Sequence, residues 1–161
     1  REEFERVHGR VQPTLALRRD LSRVIREVRP DRILTQSPMR NLERAFASHP
    51  DHLAVGEATL SAVYPDARNA FAFPELLACG LEPHTVPEVW LSGASKPDVF
   101  VDVTDVFPRK LAALTAHLSQ TGHRDPQRFD AMLRAWGERI AAAGNLGEGR
   151  LGEAFHRVDT A

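Results

Sequence analysis

Cysteine is nearly absent, since Cys79 stands alone among 161 residues. It cannot close an intrachain disulfide, so nothing in the chain asks for an oxidising compartment, and a cytoplasmic location is expected. Long apolar runs are lacking too. None approaches the roughly 20 residues that cross a bilayer as a helix, and the opening Arg1-Glu2-Glu3-Phe4 has none of the features of a signal peptide. A dominant charge is also missing. The 21 basic and 22 acidic residues nearly cancel, which gives neither nucleic acid nor an anionic membrane an electrostatic reason to bind. Lysine is reduced to Lys96 and Lys110, with arginine filling every other basic position, a usage we read as high-GC coding bias before function. Without an internal repeat or a low-complexity linker, a single domain over residues 1–161 is the expectation. The initiator methionine is absent as well, and a chain that begins inside a longer protein is expected.

Periodicity places the elements. Residues 1–13 are polar and aperiodic, whereas Leu17, Leu21, Val24, Ile25 and Val28 recur at helical spacing behind Thr14, a natural N-cap. Arg18, Arg19, Arg23 and Arg26 are expected to coat the solvent face of that helix. Pro30 ends it, and Arg32-Ile33-Leu34-Thr35-Gln36 reads as a short buried strand. Helix, tight turn, strand and polar loop is the grammar of an α/β parallel sheet, where function gathers beyond the carboxyl ends of strands. Ser37 to His49 is then the functional loop, followed by a helix from Pro50 that breaks at Tyr64-Pro65.

Further on, one helical turn is expected over Glu75 to Ala78, and strands over Pro87 to Leu91 and Val99 to Val103. A helix capped by Thr104 or Asp105 should carry Phe107, Leu111, Leu114 and Leu118 inward and stop at Thr121-Gly122-His123. A last helix, with Asp125 as cap and Pro126 at its first position, should bury Phe129, Met132, Leu133, Trp136 and Ile140. Glu153 to Val158 reads as a strand or a docking segment.

The richest stretch chemically is Ser48-His49-Pro50-Asp51-His52. If Pro50 is the first helical residue, His49 is the cap and His52 lies in the first turn, where the macrodipole disfavours imidazolium. A neutral imidazole serves as a metal ligand or as a hydrogen-bonding electrophile, and Asp51 beside both is placed to orient one ring. The same spacing also fits an ordinary capping histidine beside a surface histidine. Ser37 paired with His49 as a hydrolase nucleophile lacks the nucleophile-elbow context. Arg40, Asn41 and Arg44 in the preceding loop are candidate substrate contacts or plain surface polarity, as are Arg68, Asn69 and His84.

Ser48-His49-Pro50-Asp51-His52-Leu53-Ala54-Val55-Gly56, preceded by Arg29-Pro30-Asp31-Arg32-Ile33-Leu34-Thr35, resembles the second signature of the LmbE-like, or PIG-L, de-N-acetylase family. The likeness extends through Val101-Asp102-Val103-Thr104, Lys110, Ala113-Leu114, His117-Leu118-Ser119-Gln120 and Glu153-Ala154-Phe155, and it is nearest to the actinobacterial, mycothiol-pathway-like branch. The resemblance implies a Rossmann-like three-layer α/β sandwich with a mostly parallel sheet. It also implies Zn2+-dependent removal of an N-acetyl group from a glucosamine-type small molecule. By the same resemblance His52 is a zinc ligand, His49 stabilises the oxyanion, and Asp51 orients or tunes it.

The family's first signature, His-Pro-Asp-Asp-Glu, is absent from these residues. It supplies the other two ligands and the general base, and His52 alone does not replace the usual three protein ligands. Three expectations follow: the N-terminal strands and first signature belong to a longer protein; a second chain supplies them; or the chain is a non-catalytic relic that binds a sugar conjugate or a protein without metal. A sheet missing strands would expose an edge and apolar surface, so a homo-oligomer is a further option.

Overall fold

The computed structural model describes residues 9–42, 45 and 48–160. Its elements, in chain order, are α1 (Leu15–Val28), β1 (Arg32–Gln36), α2 (Pro50–Ser61), α3 (Pro74–Ala78), β2 (Glu88–Ser92), β3 (Val99–Asp102), α4 (Phe107–Thr115), α5 (Leu118–Thr121), α6 (Pro126–Ala143) and β4 (Gly152–Asp159). The strands hydrogen-bond in the order β1-β2-β4-β3. β1 and β2 are parallel, as expected, but β2 and β4 are antiparallel, so the sheet is mixed and the fold is α/β. The chain divides into two compact units, one of residues 1–96 with 155–161 and the other of residues 97–154.

In the first unit, α1 starts where its cap predicts. The Thr14 hydroxyl accepts the Leu17 amide at 3.2 Å, and Arg29 closes the helix in the left-handed conformation. Ile25 of α1 packs with Ala62, Val63, Ala67, Val86, Val89 and Leu91, and Leu21, Ile33, Leu60 and Val158 extend that core. These apolar groups supply the main drive for folding the unit.

The arginine face of α1 departs from expectation. Arg26 is only 2 % exposed, and its guanidinium donates to the carbonyls of Ala67, Asp66, Asn69 and Ala72. Arg18 grips the buried Asp66 carboxylate with two parallel bonds of 2.9 and 2.8 Å. Helical periodicity assigned these residues to solvent, whereas carbonyls from a turn some forty residues away supply partners that local sequence does not display. Arg19 and Arg23 remain exposed ion pairs, as a surface face should have.

In the second unit, Phe107, Leu133 and Leu151 form the core, joined by Val103, Leu111, Leu114 and Phe129. The Asp102 carboxylate accepts from both the amide and the hydroxyl of Thr104, which hold it below the ordinary carboxylate range. Lys110 and Glu153 pair at 2.6 Å. The helix expected to reach Thr121 is interrupted: α4 ends at Thr115, His117 leaves helical geometry, and Leu118 is exposed.

α6 keeps its predicted start, with the Asp125 carboxylate accepting the Arg128 amide at 2.8 Å, but it is rolled from the expected face. Its buried seam is Leu133, Gly137 and Ala141, while Met132 and Trp136 are about half exposed. The small residues explain the roll. A Cβ on Gly137 would stand 3.2 Å from the Leu151 side chain, and one on Gly152 would stand 2.9 Å from the Ala141 amide nitrogen, so backbone closeness wins over side-chain size.

Candidate active site

The histidine helix is placed by the strand before it. At Gly56 of α2 an added Cβ would meet the Gln36 carbonyl oxygen at 2.3 Å and the Pro38 nitrogen at 2.9 Å, so the helix backbone rests directly on the chain leaving β1. One turn further along, Thr35 and Thr59 hydroxyls meet at 3.3 Å. The helix therefore runs back along β1. Its first residue, Pro50, six residues before Gly56, lies about 9 Å beyond that contact at 1.5 Å per residue. His49 and His52 thus project past the carboxyl end of β1, where open α/β sheets place their sites.

The local chemistry begins at the cap. His49 has extended backbone geometry, Pro50 opens the helix, and the His49 Nδ1 accepts the Asp51 amide at 3.2 Å. A neutral imidazole that accepts at Nδ1 carries its proton on Nε2, which makes the ring a directed N–H donor. The ring of His52, on an exposed residue, lies 5.4 Å from that of His49, centroid to centroid. The two predicted imidazoles are brought together.

Asp51 has partners besides the ring of His49. Its carboxylate accepts the Gly9 amide at 2.8 Å and the Val11 amide at 2.9 Å, and its Oδ2 stands 3.9 Å from His49 Nδ1. Sequence reasoning missed residues 9–11, because a backbone donor leaves no mark in the choice of side chain.

The preceding loop is tied to the same helix. Buried Ser48 accepts the Asn41 amide on its hydroxyl at 2.8 Å and the Arg40 guanidinium on its carbonyl at 3.5 Å. Ser37 is buried and its hydroxyl accepts the Met39 amide, a turn-forming bond in place of a nucleophile's base. Arg44 lies outside the described residues. Arg68 donates to the Thr160 carbonyl at 2.8 Å, and the His84 ring meets the Pro30 carbonyl at 2.9 Å, so both have structural partners. Asn69 accepts the Phe71 amide and closes a turn.

A zinc site asks for three protein ligands, and among the described residues no three His, Cys, Asp or Glu side chains gather to hold a metal. His52 fits as one imidazole ligand, and the described residues do not complete a set around it.

The first unit thus presents two neighbouring imidazoles beyond the end of a parallel strand, where open α/β sheets gather their sites. No protein-family model matches the chain. The chain is 36 % identical over 107 residues to the diacetylchitobiose deacetylase of Thermococcus kodakarensis, a match covering 66 % of the chain and 38 % of that protein. It is 34 % identical over 98 residues to a probable N-acetyl-alpha-D-glucosaminyl L-malate deacetylase 2 of Bacillus cereus, covering 61 % and 39 %. Among solved structures, the N,N'-diacetylchitobiose deacetylase of Pyrococcus horikoshii superposes with a TM-score of 0.80 at 25 % identity, over 94 % of the chain and 54 % of that structure. The matches span under two fifths of the length of the two curated relatives and about half of the solved structure, and all three are deacetylases by name.

Proposed function

We propose that this chain supplies the second half of the active site of a LmbE-like, zinc-dependent hydrolase that removes an N-acetyl or related N-acyl group from a glucosaminyl-type conjugate. The observation that carries this reading is the juxtaposition of His49 and His52 at the mouth of α2, with His49 held as an Nε2–H donor. It agrees with the deacetylase names of the relatives. Zinc, when bound, supplies Lewis-acid polarisation and a nucleophilic water near neutral pH.

His52 provides one ligand, and the remaining ligands and the general base come from a segment of the complete enzyme or from a second chain. His49 donates its Nε2–H to the oxyanion that develops on the acyl carbon, an interaction worth about 3 kcal/mol at a preorganised site. Asp51 is the acidic residue that orients or tunes His49, its carboxylate 3.9 Å from the ring. The missing segment also completes a single Rossmann-like three-layer domain whose remaining strands are mostly parallel, acting in the cytoplasm on a small-molecule sugar conjugate.

The test is acetate release from N-acetylglucosamine and N,N'-diacetylchitobiose by the complete protein, with zinc counted in the same preparation. About one equivalent of zinc together with acetate release is expected. Less than about a tenth of an equivalent, with no acetate, would overturn the hydrolase in favour of a metal-free binding domain, because a three-ligand zinc site keeps its metal through ordinary handling.

A further inference from the structure

We infer that Arg10 is a specificity residue of the proposed site, its guanidinium receiving an oxyanion, carboxylate or phosphate, carried by the glucosaminyl conjugate. The backbone on either side of Arg10 is fixed beside His49. The Gly9 amide donates to Asp51 Oδ2 at 2.8 Å and the Val11 amide to Oδ1 at 2.9 Å, and Oδ2 stands 3.9 Å from His49 Nδ1. Those contacts keep the Gly9 nitrogen within about 7 Å of the ring nitrogen, near enough for the next side chain to reach a ligand held there.

What sets Arg10 apart is that its guanidinium is spent on nothing else. Among the described residues of the first unit, every other arginine has an ion pair or a hydrogen bond within the protein, from the carboxylate pairs of Arg18, Arg19, Arg23 and Arg32 to the carbonyl partners of Arg26 and Arg68. Arg10 is exposed and has neither. A guanidinium presents a planar fork of N–H donors that matches a carboxylate or a phosphate with two parallel bonds. A neutral N-acetyl sugar offers no such partner. Arg10 therefore sorts conjugates by the charge of the group linked to the sugar, and it leaves the zinc ligand and the oxyanion donor to their own work.

The assignment rests on the proposed reading of the site, and its test needs no turnover, so the two fail separately. Methyl glucosaminide, carboxymethyl glucosaminide and glucosamine 1-phosphate, none of which has an acyl group to lose, are titrated calorimetrically into the complete protein and into its Arg10→Gln variant. The unsubstituted protein should bind at least one of the two anionic sugars about tenfold or more tightly than the methyl glycoside, the gain expected of a charge-assisted pair. Which anionic sugar binds tighter tells carboxylate from phosphate, and the advantage should shrink as salt is added. Arg10→Gln should erase it while leaving the affinity for methyl glucosaminide unchanged. Because Arg10 bonds to no other described residue, the variant should keep its thermal midpoint. Equal affinity for all three sugars, a preference that survives Arg10→Gln, or an equal loss toward neutral and anionic sugars would overturn the assignment. An anion preference that depends on Arg10, in a protein that releases no acetate from the acetylated sugars, would uphold Arg10 and remove the hydrolase.

Discussion

Arg26 and His49 sit on neighbouring helices of one compact unit, and each is the centre of a polar cluster. The Arg26 guanidinium is buried and donates to four backbone carbonyls drawn from one turn. His49 and His52 are half-buried and exposed, respectively, and their rings lie side by side, tilted by 51°, at the open end of a helix. A buried cation whose Nε and Nη2 donate to backbone carbonyls holds a fold together. A half-buried and an exposed imidazole add little to packing, and the His49 ring is held through Nδ1, which accepts the Asp51 amide. The type of residue does not distinguish structural from chemical polarity; what its polar atoms are spent on does.

That contrast can be sharpened by substitution, beginning with its structural side. Arg26→Met should be the most damaging to the fold, at about 3–5 kcal/mol, because several carbonyls of residues 66–72 lose a buried donor at about 1–3 kcal/mol each. Denaturant unfolding measures it, and the variant protein that remains folded should keep the histidine pair intact by NMR. A loss below about 1 kcal/mol would place Arg26 with the surface arginines. Gly56→Ala should follow at about 1–3 kcal/mol, the range for overpacking, since its methyl meets backbone that has little freedom to move. Its thermal midpoint reports the loss. Because Gly56 also sets the distance of α2 from β1, the chemical shifts of His49 and His52 should move with it, which they should not do in Arg26→Met.

Much of the secondary structure was legible because local chemistry decides it. Thr14 and the Asp125-Pro126 pair mark helix starts through bonds made within three residues, and both caps are as expected. Ser48 to His52 was legible as a helix mouth for the same reason, since Pro50 and the His49 cap act within one turn. What escaped depends on distant partners. Arg26 reads as a surface residue until the carbonyls of residues 66–72 arrive, and the amides of Gly9 and Val11 that the Asp51 carboxylate accepts leave no mark near it in the sequence. The roll of α6 was hidden because Gly137 carries no apolar side chain and so adds nothing to a hydrophobic pattern, although it lies in the tightest seam. The antiparallel pairing of β2 with β4 was equally invisible, because a short alternating segment has no direction until its neighbour is known.

The division of labour between the two imidazoles is tested most directly by comparing His49→Ala with His52→Ala in the complete protein, counting zinc and acetate release together. The expected result is that His52→Ala loses both, whereas His49→Ala retains zinc and hydrolyses about a hundredfold or more slowly, as removal of an oxyanion donor does. Equal zinc contents and equal rates in the two variants would contradict it.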